Sequence, residues 1–167
     1  MTFDFRLMNV FLGIGSNIGD KLQHIEASLA LLQQKAGTIK KVSAFYETEP
    51  WGFQSDDTFL NIVAEIETCL SPSDLFAACK NIENKLGREQ KKANAYQSRP
   101  IDIDVLFYGN EILKTEQLAI PHPLIQERLF VLQPFCDIAP DFLHPILHEK
   151  MSVLLEKCAD KNWVKKI

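Results

Sequence analysis

The sequence predicts an α+β fold with a largely antiparallel sheet. Leu60, Ile62, Ala64 and Ile66 alternate with Asn61, Val63, Glu65 and Glu67, the period of two that marks a strand with unlike faces. Two segments, Leu22–Leu32 and Leu75–Leu86, instead repeat apolar residues at helical spacing. The order of such segments is strand, helix, strand, strand, helix, strand, within 167 residues, the size of one ordinary domain.

Taken in order, Met8–Ile14 is an apolar run of strand length. It ends at Gly15-Ser16-Asn17-Ile18-Gly19, a turn-forming cluster. The glycines at 13, 15 and 19 lack the dinucleotide-loop spacing, and no Walker lysine follows, so the stretch reads as a tight strand-to-helix turn. From Asp20, Leu22, Ile25, Leu29 and Leu32 predict a helix reaching about Gly37, and Val42–Thr48 predicts one strand. The strand of alternating residues follows. Ser71 can then cap a helix, with Pro72 at its first position, Asp74 completing a capping-box pattern and Gly87 ending it. Its stripe is Leu75, Cys79, Ile82 and Leu86. Ile101–Tyr108 predicts another strand, with Gly109-Asn110 as its hairpin turn, and short helices are expected near Gln126–Leu132 and Lys150–Cys158. This is the βαββαβ split unit of ferredoxin-like folds. Its two helices pack on one sheet face, and the C-terminal helices are expected on the other, making three α/β/α layers. With no linker, repeat or low-complexity tract, residues 1–167 read as a single domain.

The composition, 46% apolar and 24% charged, suits a chain that buries a core. No apolar run approaches the roughly 20 residues of a membrane helix. The N-terminal segment lacks a signal-peptide pattern, because Asn9 and two glycines break the apolar run after Arg6. The expectation is a soluble, cytoplasmic protein with no membrane partner. Cys69, Cys79, Cys136 and Cys158 are scattered without a C-x-x-C pair and read as reduced thiols. A net charge of −4 argues against a nucleic-acid partner. The charge is uneven, though: Lys85, Arg88, Lys91, Lys92 and Arg99 face only Glu89 over residues 85–99. That basic run leads directly into two aspartates, which favours phosphate binding over a merely solvated loop.

Asp102 and Asp104 lie two apart on a strand and so share a face, while Ile101, Ile103 and Val105 face the core. Two like charges on an apolar strand either hold a hard divalent cation such as magnesium or protect an exposed sheet edge. His122, in Pro121-His122-Pro123, reads as a loop residue. Arg128 fits either a phosphate or an ion pair with Glu127 or Asp137. Thr48-Glu49-Pro50-Trp51-Gly52 is a turn with an exposed-looking aromatic, followed by Phe53. Phe59 and Asn61 share a strand face; the asparagine amide suits the edge of a heteroaromatic ring. Phe59 and Phe130 either flank such a ring or belong to the core.

Together these blocks resemble one family, the 6-hydroxymethyl-7,8-dihydropterin pyrophosphokinases of folate biosynthesis. The blocks run from Leu12-Gly13-Ile14-Gly15-Ser16-Asn17 through Phe45–Gly52, Phe59-Leu60-Asn61, Ile82-Glu83, Gly87-Arg88, Arg99–Asp104, Pro121-His122-Pro123 and Arg128–Leu132 to Ile138-Ala139-Pro140. The resemblance implies that ATP donates its β,γ-pyrophosphoryl group to the pterin hydroxymethyl oxygen, leaving AMP. It implies two Mg2+ ions held by Asp102 and Asp104, with Arg88 and Arg99 completing the catalytic set. It further implies ATP contacts at Arg88, Arg99, His122 and Arg128, with Glu83 near the ribose and adenine. The pterin pocket it implies is Thr48, Trp51, Phe59, Asn61 and Phe130, with Tyr96 as the lid aromatic where the family often has tryptophan. The substrates are then the only partners expected, acting on a monomer. A non-catalytic nucleotide- or pterin-sensing module would keep the aromatics without needing both aspartates and the basic loop. An RNA-binding sheet of similar topology would carry an aromatic K/R-G-F-type strand, which this sequence lacks.

Overall fold

The computed structural model describes residues 6–87 and 100–167. Its centre is an antiparallel sheet in which β5 (Asp102–Tyr108), β1 (Met8–Ser16), β4 (Phe59–Thr68), β3 (Tyr46–Thr48) and β8 (Val164–Lys166) lie side by side in that order, with β2 (Thr38–Val42) also paired to β4. Strand β1 (Met8–Ser16) lies between β4 (Phe59–Thr68) and β5 (Asp102–Tyr108). Gly13 and Gly15 are thus ladder residues inside β1, not part of a turn as the sequence suggested. Only Gly19, at φ +69°, sits in the turn and needs the left-handed conformation that glycine tolerates.

Helix α1 (Lys21–Lys35) starts at Asp20, whose carboxylate accepts the Gln23 amide. Its buried stripe is Ile25, Ser28 and Leu32; Leu22, expected on it, is largely exposed. The strand expected over Val42–Thr48 is two, β2 (Thr38–Val42) and β3 (Tyr46–Thr48). They part at Ser43, whose hydroxyl oxygen accepts the Val63 amide at 2.9 Å in place of a ladder carbonyl. Helix α2 (Pro72–Lys85) follows the predicted capping: Ser71 Oγ accepts the Asp74 amide, and Gly87 leaves the helix at φ +94°.

The Gly109-Asn110 turn forms, with the Glu111 amide donating to the Tyr108 carbonyl, but it builds no hairpin with β5. The next strand, β6 (Leu113–Lys114), pairs instead with β7 (Ala119–Ile120). A 3-10 turn, Ile125–Glu127, leads into α3 (Leu129–Ile138), longer than its sequence pattern announced. Helix α4 (Met151–Lys157) precedes the edge strand β8 (Val164–Lys166).

The sheet buries both faces against helices. On one, Val10, Leu12, Ile14, Ile62, Ile66 and Ile103 join Ile25 and Leu32 of α1 and Leu75, Cys79 and Ile82 of α2. On the other, Phe11, Val63, Leu106 and Phe107 pack against Leu132 and Phe135 of α3 and Leu154 of α4. This second core is aromatic, with Phe11 and Phe135 rings 4.5 Å apart and Phe107 and Phe142 rings 4.7 Å apart. Val63, on the same sheet face as Asn61, is buried beneath α3. A β-bulge between β1 and β5 turns Leu106 and Phe107 toward the same core.

Candidate active site

The second sheet face is not apolar along its whole length. Beyond Phe11, the β1 positions on that face are Gly13 and Gly15; they pair with Asp104 and Asp102 of β5 and with Val63 and Asn61 of β4. Cross-strand partners point to the same side, so the two glycines leave a side-chain-free strip between the aspartates and Asn61. The strip floors a cleft of about 240 Å3. Its walls include Thr48, Glu49, Trp51, Phe53 and Phe59 on one side, and Asp102, Asp104, His122, Arg128 and Phe130 on the other.

The aspartates stand as their spacing predicts, both half-buried and lining the cleft, while Ile101, Ile103 and Val105 are buried behind them. Strand β5 ends the sheet order, and its Ile103 amide donates 2.7 Å to the buried Glu83 carboxylate of α2. Glu83 thereby fixes the backbone between Asp102 and Asp104. Lys80, one turn earlier, pairs with Glu83 at 3.1 Å and also lines the cleft.

Asn61 is buried, and its Nδ2 donates to Thr48 Oγ1 at 2.7 Å. The hydrogen bond sets the amide with its carbonyl oxygen over Gly15, where a Cβ on residue 15 would collide with it. Only glycine at 15 tolerates this approach. Phe59 meets Phe53 edge to face, with centroids 5.9 Å apart. Across the cleft, the buried Arg128 guanidinium lies 4.6 Å from the Trp51 ring and 5.5 Å from the Phe130 ring. Such cation–π contacts contribute about 0.5–2 kcal/mol. Trp51 is accordingly half-buried rather than the exposed turn aromatic the sequence suggested. Asp137, the alternative partner considered for Arg128, accepts the Tyr46 hydroxyl at 2.8 Å and the Ala44 amide at 3.2 Å. Burial, together with that hydrogen bond to Asp137, pushes the Tyr46 phenol up to about 12, so it stays protonated and ties β3 to α3.

His122 lines the same cleft, with its backbone amide donating to Leu106. Burial, aided by the Arg128 cation and opposed by Asp102, pushes its imidazole down to about 4. Nδ1 accepts the Leu124 amide at 3.2 Å, so the neutral ring carries its proton on Nε2.

Thus nine sequence-predicted residues meet in one cleft: Thr48, Trp51, Phe59, Asn61, Asp102, Asp104, His122, Arg128 and Phe130. Glu83 stands just behind it. Arg88, Tyr96 and Arg99 lie outside the described residues. Sequence reasoning missed Gly13, Gly15, Glu49, Phe53 and Lys80. Reading the glycines at a period of two would have put them on the aspartates' face. Lys80 carried only an i,i+3 relation to Glu83. Among the described residues no group of three or more His, Cys, Asp or Glu is placed to hold a metal, so a cation here would rest on the two aspartates with oxygens from a ligand and water. No described helix is long and apolar enough to cross a membrane.

Residues 11–140 match the family model for 7,8-dihydro-6-hydroxymethylpterin-pyrophosphokinase. The chain is 43% identical over 138 residues to the 2-amino-4-hydroxy-6-hydroxymethyldihydropteridine pyrophosphokinase of Porphyromonas gingivalis, covering 81% of this chain and 93% of that protein. It is 45% identical over 139 residues to the folic acid synthesis protein FOL1 of Dictyostelium discoideum, covering 83% of this chain but 21% of that longer protein. The crystal structure of Plasmodium falciparum HPPK-DHPS wild type superposes with a TM-score of 0.72 at 16% identity, over 91% of this chain and 45% of that one. At that identity the likeness concerns the fold.

Proposed function

This chain belongs to the 7,8-dihydro-6-hydroxymethylpterin-pyrophosphokinase family, and from that premise we propose how its residues divide the work of moving pyrophosphate from ATP to the pterin. The observation that carries the proposal is the shared cleft: a carboxylate pair at one end, an aromatic pocket with a fixed amide at the other. One end suits a charged polyphosphate and the other a flat heteroaromatic ring, and the hydroxyl to be modified falls between them.

The pterin ring lies between Trp51, Phe59 and Phe130. Asn61, held by Thr48, reads its edge with an amide whose orientation is already fixed, so little ordering is needed on binding. ATP extends toward Asp102 and Asp104. His122 donates from Nε2 to a phosphate oxygen, and Arg128 leaves its aromatic contacts partly or wholly to meet phosphate as a planar fork. Arg88 and Arg99 add charge, Tyr96 closes over the substrates, and Glu83 holds the aspartate-bearing strand near the nucleoside. The side-chain-free strip at Gly13 and Gly15 and the oxygen-only donor set suit magnesium, with Asp102 and Asp104 holding two ions. When bound, magnesium neutralises the charge spread over the phosphate oxygens. The pterin hydroxymethyl oxygen bonds to the β-phosphorus, the bond from that phosphorus to the oxygen bridging the α-phosphorus breaks, and AMP departs with that electron pair. The hydroxyl proton passes to water. Alignment and charge neutralisation supply most of the rate, so no dedicated general base is required.

We read the sheet order β5-β1-β4-β3, crossed by α1 and α2 on one face, as the ferredoxin-like core of a three-layer, single-domain enzyme spanning residues 1–167. In this reading the enzyme acts as a monomer, and the use of ATP supports a cytoplasmic place of action. Chromatographic separation of products tests the reading: reduced pterin and magnesium-ATP yield AMP and pterin diphosphate. ADP as the sole nucleotide product, or no turnover, refutes it.

A further inference from the structure

The C-terminal segment lies outside residues 11–140 that match the family model, yet it bonds to both walls of the cleft. After α4 the chain returns to the start of α3. There one Asp160 carboxylate oxygen accepts the Leu129 amide at 3.0 Å, and the other accepts the Asn162 amide at 3.0 Å. Leu129 is the first residue of α3, between Arg128 and Phe130, and Arg128 at the cap position makes no side-chain capping bond of its own. The carboxylate that satisfies this first-turn amide therefore comes from 31 residues away. Three residues on, the Trp163 amide donates 2.7 Å to the Glu49 carboxylate, and the Glu49 amide donates 3.4 Å to the Trp163 carbonyl. Strand β8 then continues the pairing along β3, Val164 opposite Thr48 and Lys166 opposite Tyr46.

Glu49 leads the turn that carries Trp51, and Leu129 sits beside Arg128. The two walls also meet inside the cleft, where Arg128 stacks on Trp51. Residues 160–163 thus link Leu129, beside Arg128, to Glu49, at the head of the turn that carries Trp51. We propose that Asp160–Trp163 is a brace that sets the separation of the two aromatic walls, with Asp160 as the positioning residue for the flat ring held among Trp51, Phe59 and Phe130. The inference rests on the pterin reading of that pocket. Its physical basis is that a ring held between two aromatic faces loses contact when either face shifts by a fraction of an ångström. At the α3 wall the brace acts from outside the cleft lining, through Asp160 and the Leu129 amide, whereas at the other wall it ends on Glu49, which lines the cleft.

Steady-state kinetics of the full chain test it. Asp160→Ala is expected to raise the pterin KM about fivefold, the scale of one lost cap, while kcat and the ATP KM stay within twofold. Asp160→Asn keeps one acceptor oxygen for the two amides and is expected to recover part of the lost affinity. If Asp160→Ala does not fold, Asp160→Asn is expected to show a smaller but still pterin-selective rise in KM. A purely structural role would lower the melting temperature and leave the pterin KM unchanged. That result, an equal rise in both KM values, or an Asp160→Asn variant no better than Asp160→Ala, overturns the brace. Wild-type AMP formation in the same assay separates the two ideas. Its absence overturns the pterin reading and the brace together, whereas normal wild-type turnover with an unaltered pterin KM in the alanine variant overturns the brace alone.

Discussion

The same three strands build two opposite environments on one face of the sheet. In the half under α3, β1 contributes Phe11, β4 contributes Val63 and β5 contributes Leu106 and Phe107, all buried. In the half that lines the cleft, β1 contributes Gly13 and Gly15, β4 contributes Asn61 and Phe59, and β5 contributes Asp104 and Asp102. The boundary falls where α3 begins, at Arg128. Carboxylates under a packed helix would have to be desolvated at a cost of several kcal/mol each, and glycines there would leave cavities. The site therefore exists where the second helical layer stops. In the proposed reading one half supplies stability and the other supplies chemistry, although strand geometry does not distinguish them.

The sharpest way to break that division is to exchange the losses. Asp104→Ala is expected to cut AMP formation about a hundredfold or more, since a carboxylate ligand of the phosphate-neutralising site is gone, while the melting temperature barely moves. Near-normal turnover in that variant removes the metal role from the cleft half. Phe107→Ala, fully buried in the other half, is expected to lower unfolding free energy by about 3–5 kcal/mol in denaturant titrations. The turnover of its folded fraction should remain close to wild type; a large fall in kcat at full folding would show the halves to be coupled. A subtler probe is Gly15→Ala. The new Cβ displaces the Asn61 oxygen and should weaken pterin binding about tenfold in calorimetry, with ATP binding little affected. Equal losses for both ligands would remove Asn61 from the ring-reading role.

The smallest effect should come from pH, and it touches both halves. His122 in the cleft is pushed down to about 4 by burial and Arg128. His144, near Phe107 in the aromatic core, is also lowered, by burial and then by His148. A histidine lowered in the folded state stays neutral there while the unfolded chain takes up a proton below about 6.5. The stability linked to neutral His122 is thus full above about 6.5 and is lost as pH falls toward about 4. Thermal melts should therefore drop in midpoint between pH 7 and pH 5, and His122→Asn should flatten that slope. An unchanged slope in the variant would assign the acid sensitivity to His144 and the covered half.

Much of the chain was legible from short-range pattern. Ser71, Pro72 and Gly87 bounded α2 because capping is decided within one turn of the helix. Asp102 and Asp104 were placed on one face because strand alternation is a property of the backbone. The failures were all questions of neighbours. Gly13 and Gly15 looked like turn residues because a glycine cluster suits a turn as well as a floor, and only the pairing with Asp102, Asp104 and Asn61 shows which. Which helix covers Val63 was not legible, because that helix begins 66 residues later, at Leu129. Ser43 split a predicted strand through a hydroxyl bond to Val63, a partner 20 residues away.

By itself, then, the sequence determined the main helices and central strands, their order and the candidate residues for phosphate, metal or a flat ring. These follow from local propensity and from the chemistry of single side chains. The tertiary structure decided which half of the sheet face stays free of α3, how Glu83 and Asp160 hold backbone beside the site, and that nine candidate residues share one cleft. Those outcomes depend on long-range packing and on amides finding acceptors across dozens of residues, which no local pattern encodes.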